Sequence, residues 1–198
     1  MRPAKYLSQL LVSNEIINKQ EQELYSYGIS QGISLLYNIL TVVFIGWLFN
    51  MIWESIIFMV AYGWIRPYAG GYHSRTKLRC YFFSIGLIVT VLLIIKYISF
   101  STFALITITL VSSIIILILA PVEDKNKPLD EIEKTIFKKR TNIRLIILIG
   151  LTVLFWILGL KQISICIIIS LITLSFMLLL GKFNTLVQNS RKRKNKKS

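Results

Sequence analysis

Histidine, cysteine and acidic residues are scarce in this sequence. Its 198 residues include one histidine, two cysteines and nine Asp or Glu residues, against 23 Lys or Arg residues. One histidine and no cysteine cluster exclude a histidine-rich or zinc-finger type of metal site, and two cysteines are too few for a disulfide framework. No glycine-rich, lysine-containing phosphate loop is present. The sequence therefore predicts neither a metal nor a cofactor.

Apolar residues are abundant instead, and they are gathered in long blocks. They make up 55% of the chain, above the roughly 45–50% that is usual in a soluble domain. A helix that crosses a membrane needs about 20 apolar residues. The blocks predict an all-α fold, a single polytopic membrane domain over residues 1–198 with six transmembrane helices near 29–49, 51–66, 81–98, 102–120, 143–160 and 163–181. The second span is short and contains Glu54.

The basic residues predict how these helices cross the membrane. They concentrate, as three, four, seven and seven Lys or Arg residues, in the segments 1–28, 66–79, 121–144 and 182–198. The alternate turns have only Lys96 and Lys161 at or near them. Since Lys and Arg favour the cytoplasmic side, we expect a multi-pass protein of the bacterial cell membrane with both termini and the 66–80 loop in the cytoplasm. Without the second span, the four basic residues of 66–79 would lie on the opposite side of the membrane from the other basic segments.

Both ends of the chain suit a membrane surface. Residues 1–28 predict a cytoplasmic amphipathic helix that lies in the interface or docks on a partner. Its apolar face contains Leu7, Leu10, Leu11, Ile17 and Leu24. The basic tail 182–198 is expected to bind anionic lipid headgroups. Although the net charge is +14, no aromatic stacking platform accompanies the basic run, so nucleic-acid binding is not expected.

The only histidine and one of the cysteines fall in the same predicted loop. His73 and Cys80 suit thiolate catalysis, in which the histidine takes the thiol proton and returns one to the leaving amine. A continuous helix would separate them by about 10.5 Å along its axis. We therefore expect Pro67 and the Gly70-Gly71 step to keep His73 off the helix that carries Cys80. The other cysteine, Cys166, lies among isoleucines and is predicted to be a buried, small apolar residue.

Neighbouring groups could support this pair. The charged residues expected to favour the thiolate, together with the start of the helix, are Arg75, Lys77 and Arg79. The backbone amides of Gly70 and Gly71 are candidate oxyanion donors. No acid lies in the loop, so the residue that orients His73 stays open; the candidates in the next cytoplasmic segment are Glu123, Asp124 and Asp130.

These residues together resemble the accessory gene regulator protein B (AgrB) family, membrane cysteine endopeptidases that mature cyclic peptide pheromones in Gram-positive bacteria. The resemblance rests on Arg66, the run Gly70-Gly71-Tyr72-His73, and Cys80 seven residues later. The segment 120–129, Ala-Pro-Val-Glu-Asp-Lys-Asn-Lys-Pro-Leu, looks like the family's loop after the fourth helix. Length and the predicted spans also match, so the resemblance extends over nearly the whole chain.

The resemblance implies roles for individual residues. By position, Cys80 is the nucleophile, His73 is the general base, and Arg66 and Gly71 occupy places that the family requires for activity. The implied reaction releases the C-terminal tail of a quorum-sensing propeptide through an acyl-thioester and closes a thiolactone or lactone ring. The implied partners are a short propeptide with an amphipathic leader and an acidic tail, and a second copy in a homodimer. The basic residues that suit an acidic tail are Arg75, Lys77, Arg79, Lys125 and Lys127.

Two other functions are compatible with the same topology. A peptide exporter or membrane scaffold without proteolytic activity would not need Cys80, but it would need polar residues along a path between the spans, and these are few. A plain membrane endopeptidase would release a linear product, which is heavier than the ring by one water.

Overall fold

The computed structural model describes residues 2–71, 77–123 and 129–195, with side chains for 3–71, 78–123 and 129–186. These residues are almost entirely helical and contain no β-strand. The helices in chain order are α1 Arg2–Ser13, α2 Gln22–Leu48, α3 Ile52–Ala69, α4 Lys77–Tyr97, α5 Thr102–Leu119, α6 Glu131–Ile157 and α7 Lys161–Asn195. A short 3-10 helix, Lys19–Glu21, precedes α2.

Helices α2, α4, α5, α6 and α7 are long and apolar enough to cross a membrane. Their outer faces expose large apolar side chains, including Phe44, Phe103, Ile118 and Ile146. A soluble protein rarely exposes so much apolar surface, whereas the hydrocarbon core of a membrane accommodates it without an unpaired backbone group, because every helix satisfies its own hydrogen bonds. The all-α prediction is confirmed for the described residues, and the chain is a helical membrane protein.

Helix α3 is as long as α5, with 18 residues, but it is not among the described helices that are apolar enough to cross a membrane. Its position in the bundle also differs from theirs. It packs against α2, α6 and α7 rather than lying at the edge. Its residues Ile65 and Ala69 are completely buried, as are Leu171 and Leu174 of α7. Helices α3 and α7 contribute to both apolar clusters, one shared with α5 and α6 and the other with α2 and α4. A helix in this place can contain polar residues because neighbouring helices cover much of it.

The C-terminal end of α3 differs from the expected break at Pro67. The helix continues through Pro67 to Ala69, so Arg66 lies in its last turn and not in a loop. A proline here removes one N–H group, but the Gly70 N–H still donates to the Arg66 carbonyl at 3.0 Å and closes the turn. Gly70, with φ +74°, and Gly71, with φ +121°, then take the chain out of the helix.

Helices α6 and α7 both extend beyond the spans predicted for them. Helix α6 begins at Glu131 and not near residue 143. The Asp130 N–H donates to Glu133 Oε2 at 3.3 Å and satisfies a backbone group at this helix start. Helix α7 continues to Asn195 and includes most of the basic tail, since Lys and Arg are good helix formers.

Helix α1 packs on the first turns of α2. It buries the small residues Ala4 and Ser8 and leaves Tyr6, Leu7 and Leu10 exposed. Leu7 and Leu10 belong to the face that the sequence predicts to lie in the membrane interface.

Candidate active site

Cys80, Arg66 and Gly70 line one cavity of about 610 Å³. This volume is within the range of roughly 300–1,000 Å³ that is usual for ligand-binding cavities. Its walls come from α2, α3 and α4, with Met177 of α7 on the remaining side. The structure therefore brings together the cysteine and two of its predicted supporting residues. His73 lies outside the described residues, so its pairing with Cys80 stays a prediction.

Cys80 lies near the described start of α4 and has an exposed, free thiol. One turn further along, the Ser84 hydroxyl donates to the Cys80 carbonyl at 3.0 Å. The neighbouring Tyr81 hydroxyl is 2.6 Å from Thr41 Oγ1 on α2. This hydrogen bond joins the start of α4 to α2 and thereby restricts the position of Cys80 beside the cavity.

Arg66 lies at the end of a column of stacked side chains on α3. Its guanidinium carbon is 5.5 Å from the centroid of the Tyr62 ring. The Tyr62 ring in turn lies 5.6 Å from the Phe58 ring, with the two planes 7° apart. All three side chains line the Cys80 cavity. The sequence interpretation missed Tyr62, although its spacing of four residues from both Phe58 and Arg66 places the three on one helix face.

Gly71 occupies a place that leaves little room for a side chain. It is buried, and a Cβ atom there would lie 3.1 Å from the Met177 carbonyl oxygen and 3.2 Å from Arg66 Nη1. Its φ of +121° is also a conformation that residues with side chains rarely adopt. Gly71 thus lets the chain pass closely between Arg66 and the backbone of α7.

Gly70 joins the two segments on which the family resemblance rests. The Val122 N–H donates to the Ala69 carbonyl at 3.0 Å, and Gly70 and Val122 form an isolated parallel bridge. A Cβ atom at Gly70 would overlap the Val122 carbonyl oxygen. Because the Gly70 N–H already bonds to the Arg66 carbonyl, it does not serve as an oxyanion donor in this arrangement. The N–H of Gly71 is the remaining candidate of the two.

The acidic residues considered for orienting His73 have other contacts or lie elsewhere. Glu123 forms an ion pair with Lys134 at 2.9 Å. Hydrogen bonds to Glu131 and Glu123 raise the pKa of Lys134 above its usual value of 10.5. Neither Glu123 nor Asp130 is among the described residues that line the Cys80 cavity, and Asp124 lies outside the described residues.

The basic residues expected near an acidic tail are described only in part. Arg79 is exposed in the first described turn of α4. Arg75, Lys125 and Lys127 lie outside the described residues, as does the side chain of Lys77. Their contribution to a tail-binding surface stays a prediction.

The second cysteine behaves as its apolar neighbours predict. Cys166 is free and has no exposed surface, which confirms that it is a buried residue of the helix bundle. Within residues 2–71, 77–123 and 129–195, no three His, Cys, Asp or Glu side chains are grouped as a metal site requires.

The fold and this cavity define a class: a helical membrane protein with an accessible cysteine at a cavity between its helices. Comparison with known families identifies it further. The family model Accessory gene regulator B matches residues 4–178, so the chain belongs to that family and the resemblance found in the sequence is confirmed.

The individual proteins that match this chain share only about a quarter to a third of its residues over the matched length. The chain is 27% identical over 150 residues to a Putative AgrB-like protein of Clostridium perfringens (strain SM101 / Type A), a match that covers 72% of this chain and 70% of the relative. It is 30% identical over 125 residues to Protein FsrB of Enterococcus faecalis (strain ATCC 47077 / OG1RF), covering 62% of this chain and 52% of that protein. No solved structure matches the chain.

Proposed function

We propose that this protein is a membrane cysteine endopeptidase that releases the C-terminal tail of a quorum-sensing propeptide and promotes closure of a thiolactone or lactone ring. The observation that supports this proposal best is the cavity shared by Cys80, Arg66 and Gly70 in a member of the accessory gene regulator B family. An exposed thiol at such a cavity can reach a bound peptide bond, whereas the buried thiol of Cys166 cannot.

The first step transfers the peptide to the enzyme. His73 takes the thiol proton of Cys80, and the sulfur attacks the carbonyl carbon of the scissile bond. The carbon–nitrogen bond then breaks, and His73 returns the proton to the leaving amine. The products are a free tail and an acyl-thioester on Cys80. In this proposal the N–H of Gly71 donates to the oxyanion that forms during the attack.

The second step closes the ring without consuming water. A thiol or hydroxyl within the bound peptide attacks the thioester carbon, and the Cys80 sulfur leaves and recovers a proton. When the attacking group is a thiol, one thioester replaces another, so the reaction is close to balanced. Attack by water at the same carbon would give the linear product instead.

We also propose six membrane spans, with α3 as the second, and both termini and the Cys80 end of the bundle in the cytoplasm. The central place of α3 among α2, α6 and α7 supports its inclusion, as does the concentration of Lys and Arg in alternate segments. In this topology the basic end of α7 meets anionic lipid headgroups. The propeptide and a second copy of the chain in a homodimer complete the proposed set of partners.

The test is to co-express the protein with candidate propeptides from neighbouring reading frames and to measure tail release by mass spectrometry. We expect release by the wild-type protein and by Cys166→Ala, which removes the other thiol. Cys80→Ser and His73→Ala should each abolish release while the proteins still insert in the membrane. A ring and a linear product differ in mass by one water, so the same spectra show whether cyclisation occurs.

Tail release that persists in both Cys80→Ser and His73→Ala would contradict the proposal. Export of an intact peptide that persists in Cys80→Ser would support an exporter or scaffold. A product with the linear mass in the presence of wild-type protein would support a plain endopeptidase.

A further inference from the structure

Two arginines of α6 lie against aromatic side chains near the C-terminal end of α3. The guanidinium carbons of Arg140 and Arg144 are 5.2 and 3.9 Å from the centroid of the same Tyr68 ring. Arg144 also lies 5.4 Å from the centroid of the Trp64 ring and donates to the Trp64 carbonyl. Arg140 Nη1 donates to the Tyr68 hydroxyl at 3.3 Å. These four residues, the Tyr68 cluster, hold two positive charges close together on the outside of the bundle, where Trp64 and Arg140 are exposed.

The positive charge of the Tyr68 cluster has no acidic partner among the residues that the structure describes. The ion pairs found there join Lys134 to Glu123 and Glu131 and involve neither arginine. A guanidinium has five N–H donors, and its planar shape matches the oxygens of a phosphate in pairs. Because the two guanidiniums repel each other, an anion bound between them is attracted by both. The cluster therefore has the chemistry of a phosphate-binding site.

The surface next to the Tyr68 cluster is apolar on the side towards the middle of the bundle. Val60 lies one turn from Trp64 on α3, and Ile147 lies one turn from Arg144 on α6. Both side chains are exposed. They suit an acyl chain, whereas an acidic peptide would gain nothing from them. Tryptophan and tyrosine are also enriched at the level of lipid headgroups, and basic sites between helices bind anionic headgroups.

We propose that the Tyr68 cluster binds the phosphate of an anionic phospholipid, with an acyl chain of that lipid lying along Val60 and Ile147. In the proposed topology this lipid belongs to the cytoplasmic leaflet. A zwitterionic lipid has the same phosphate, but its ammonium group is repelled by the second arginine. The site is separate from the basic tail 182–198, and none of its four residues is among the described residues that line the Cys80 cavity.

Fluorescence quenching at Trp64 tests this proposal, because bromine on an acyl chain quenches only a nearby indole. The full chain carries Trp47→Phe, Trp53→Phe and Trp156→Phe, so that Trp64 alone remains of its four tryptophans. It is placed in nanodiscs of equal parts phosphatidylglycerol and phosphatidylcholine. The phosphatidylglycerol is brominated in one preparation and the phosphatidylcholine in the other. Since the headgroups are the same in both, the ratio of the two quenching values gives the preference for phosphatidylglycerol at Trp64.

We expect phosphatidylglycerol to be favoured at Trp64 by about 5- to 30-fold, the effect of one to two basic residues beside an anionic headgroup. Arg140→Gln combined with Arg144→Gln should abolish this preference. If that double variant does not insert in the membrane, Arg140→Gln alone should lower the preference in part. Tyr68→Leu keeps the net charge but removes the ring that both guanidiniums contact, so it should lower the preference at least about twofold. Tyr68→Phe keeps the ring and should retain most of the preference.

Lys138→Gln combined with Lys139→Gln is the matched control. It removes the same charge from exposed positions of the same helix, but residues one or two positions from Arg140 do not share its helix face. This control should keep the preference. Native mass spectrometry of the protein with its natural tryptophans gives a second readout. There the wild-type protein and the lysine variant should retain more phosphatidylglycerol than the arginine variant.

Equal quenching by the two brominated lipids would overturn the proposal, as would a preference that the arginine variant or Tyr68→Leu leaves unchanged. A lysine control that loses the preference as completely would overturn it too, because net charge would then explain the result. Inorganic phosphate and a Glu-rich peptide, each added in excess, distinguish other sources of the anion. Release of quenching by either would assign the site to free phosphate or to an acidic peptide instead of a lipid. None of these measurements involves Cys80 or a propeptide, so they are independent of the proposed function.

Discussion

The guanidinium of Arg66 lies over the ring of Tyr62, 5.5 Å from its centroid, on the wall of the cavity that contains Cys80. The Tyr62 ring rests on Phe58 in the same way, at 5.6 Å. A stacked guanidinium is restricted to few rotamers, because the aromatic face attracts its positive charge. Stacking on Tyr62 therefore contributes to the position of the Arg66 charge on the wall of the Cys80 cavity.

Replacing the Tyr62 ring should reduce activity through Arg66. We expect Tyr62→Leu to slow tail release by roughly 2- to 30-fold, which corresponds to the loss of about 0.5–2 kcal/mol of cation–π attraction. Tyr62→Phe keeps the ring and should retain most of the activity. Initial rates in proteoliposomes would measure both. As a control, Trp156→Leu removes a similar pair with Lys161 at 5.5 Å, away from the cavity, and should have no effect. Equal rates for Tyr62→Leu and Tyr62→Phe would contradict this role.

The hydrogen bond between Thr41 and Tyr81 should position Cys80. Helix α4 has few contacts with the remainder of the bundle, and this 2.6 Å bond lies one residue from Cys80. We expect Thr41→Val and Tyr81→Phe each to lower kcat by about 2- to 10-fold, because a hydrogen bond contributes about 0.5–1.5 kcal/mol net. KM should change little, and Thr41→Ser should retain activity.

A double-mutant cycle separates this positioning role from a general loss of stability. If the hydrogen bond between Thr41 and Tyr81 is what positions Cys80, the double variant Thr41→Val/Tyr81→Phe should have a kcat no lower than that of either single variant. Thr107→Val serves as a control, since the Thr107 hydroxyl donates to the Phe103 carbonyl of its own helix at 3.0 Å and does not join two helices within the described part of the chain. Fully additive effects at Thr41 and Tyr81 would show that the two residues act separately.

The sequence predicts the all-α class, the burial of Cys166 and the grouping of Arg66, Gly70 and Cys80, because these depend on composition or on neighbours in the chain. The partners that come from other helices could not be predicted in the same way. Thr41 is 40 residues from Tyr81, and only packing brings them together. Pro67 shows the limit of a local rule: proline usually ends a helix, but in the last turn of α3 the Gly70 N–H still completes the hydrogen bonding.

The ion pair of Lys134 predicts how the segment at Glu123 responds to pH. Hydrogen bonds to Glu131 and Glu123 raise the pKa of Lys134 above 10.5. A base whose pKa is raised on folding contributes stability that is complete below its unfolded pKa and is lost as the pH rises through the folded value. We therefore expect the ion pair with Lys134 to stabilise the segment at Glu123 equally at about pH 7 and pH 9. This stabilisation should weaken only above the usual lysine pKa.

Hydrogen exchange of the Val122 amide, corrected for intrinsic rates, measures this directly. Lys134→Met should lower protection at both pH values, whereas Lys138→Met, at an exposed position one turn along α6, should not. A loss of protection between pH 7 and pH 9 in the wild-type protein would mean that another group controls the segment.

Gly70 should be the glycine least tolerant of substitution in the described loop. Its φ is +74°, and an added Cβ atom would overlap the Val122 carbonyl oxygen, so Gly70→Ala should destabilise the protein by about 1–3 kcal/mol. Gly32→Ala, in a helix with nothing within 4 Å of the added atom, should be neutral or stabilising by up to about 1 kcal/mol. Thermal unfolding in lipid nanodiscs, followed by tryptophan fluorescence, compares the two variants.

Tail release measured well below the unfolding temperature then shows whether Gly70 matters beyond stability. Gly70 connects the end of α3, which carries Arg66, to the segment that follows α5. If that connection fixes the mouth of the cavity, Gly70→Ala should slow release even where the protein is fully folded, and hydrogen exchange at Val122 should rise in the same variant. Normal release by folded Gly70→Ala would limit its role to holding the two segments together.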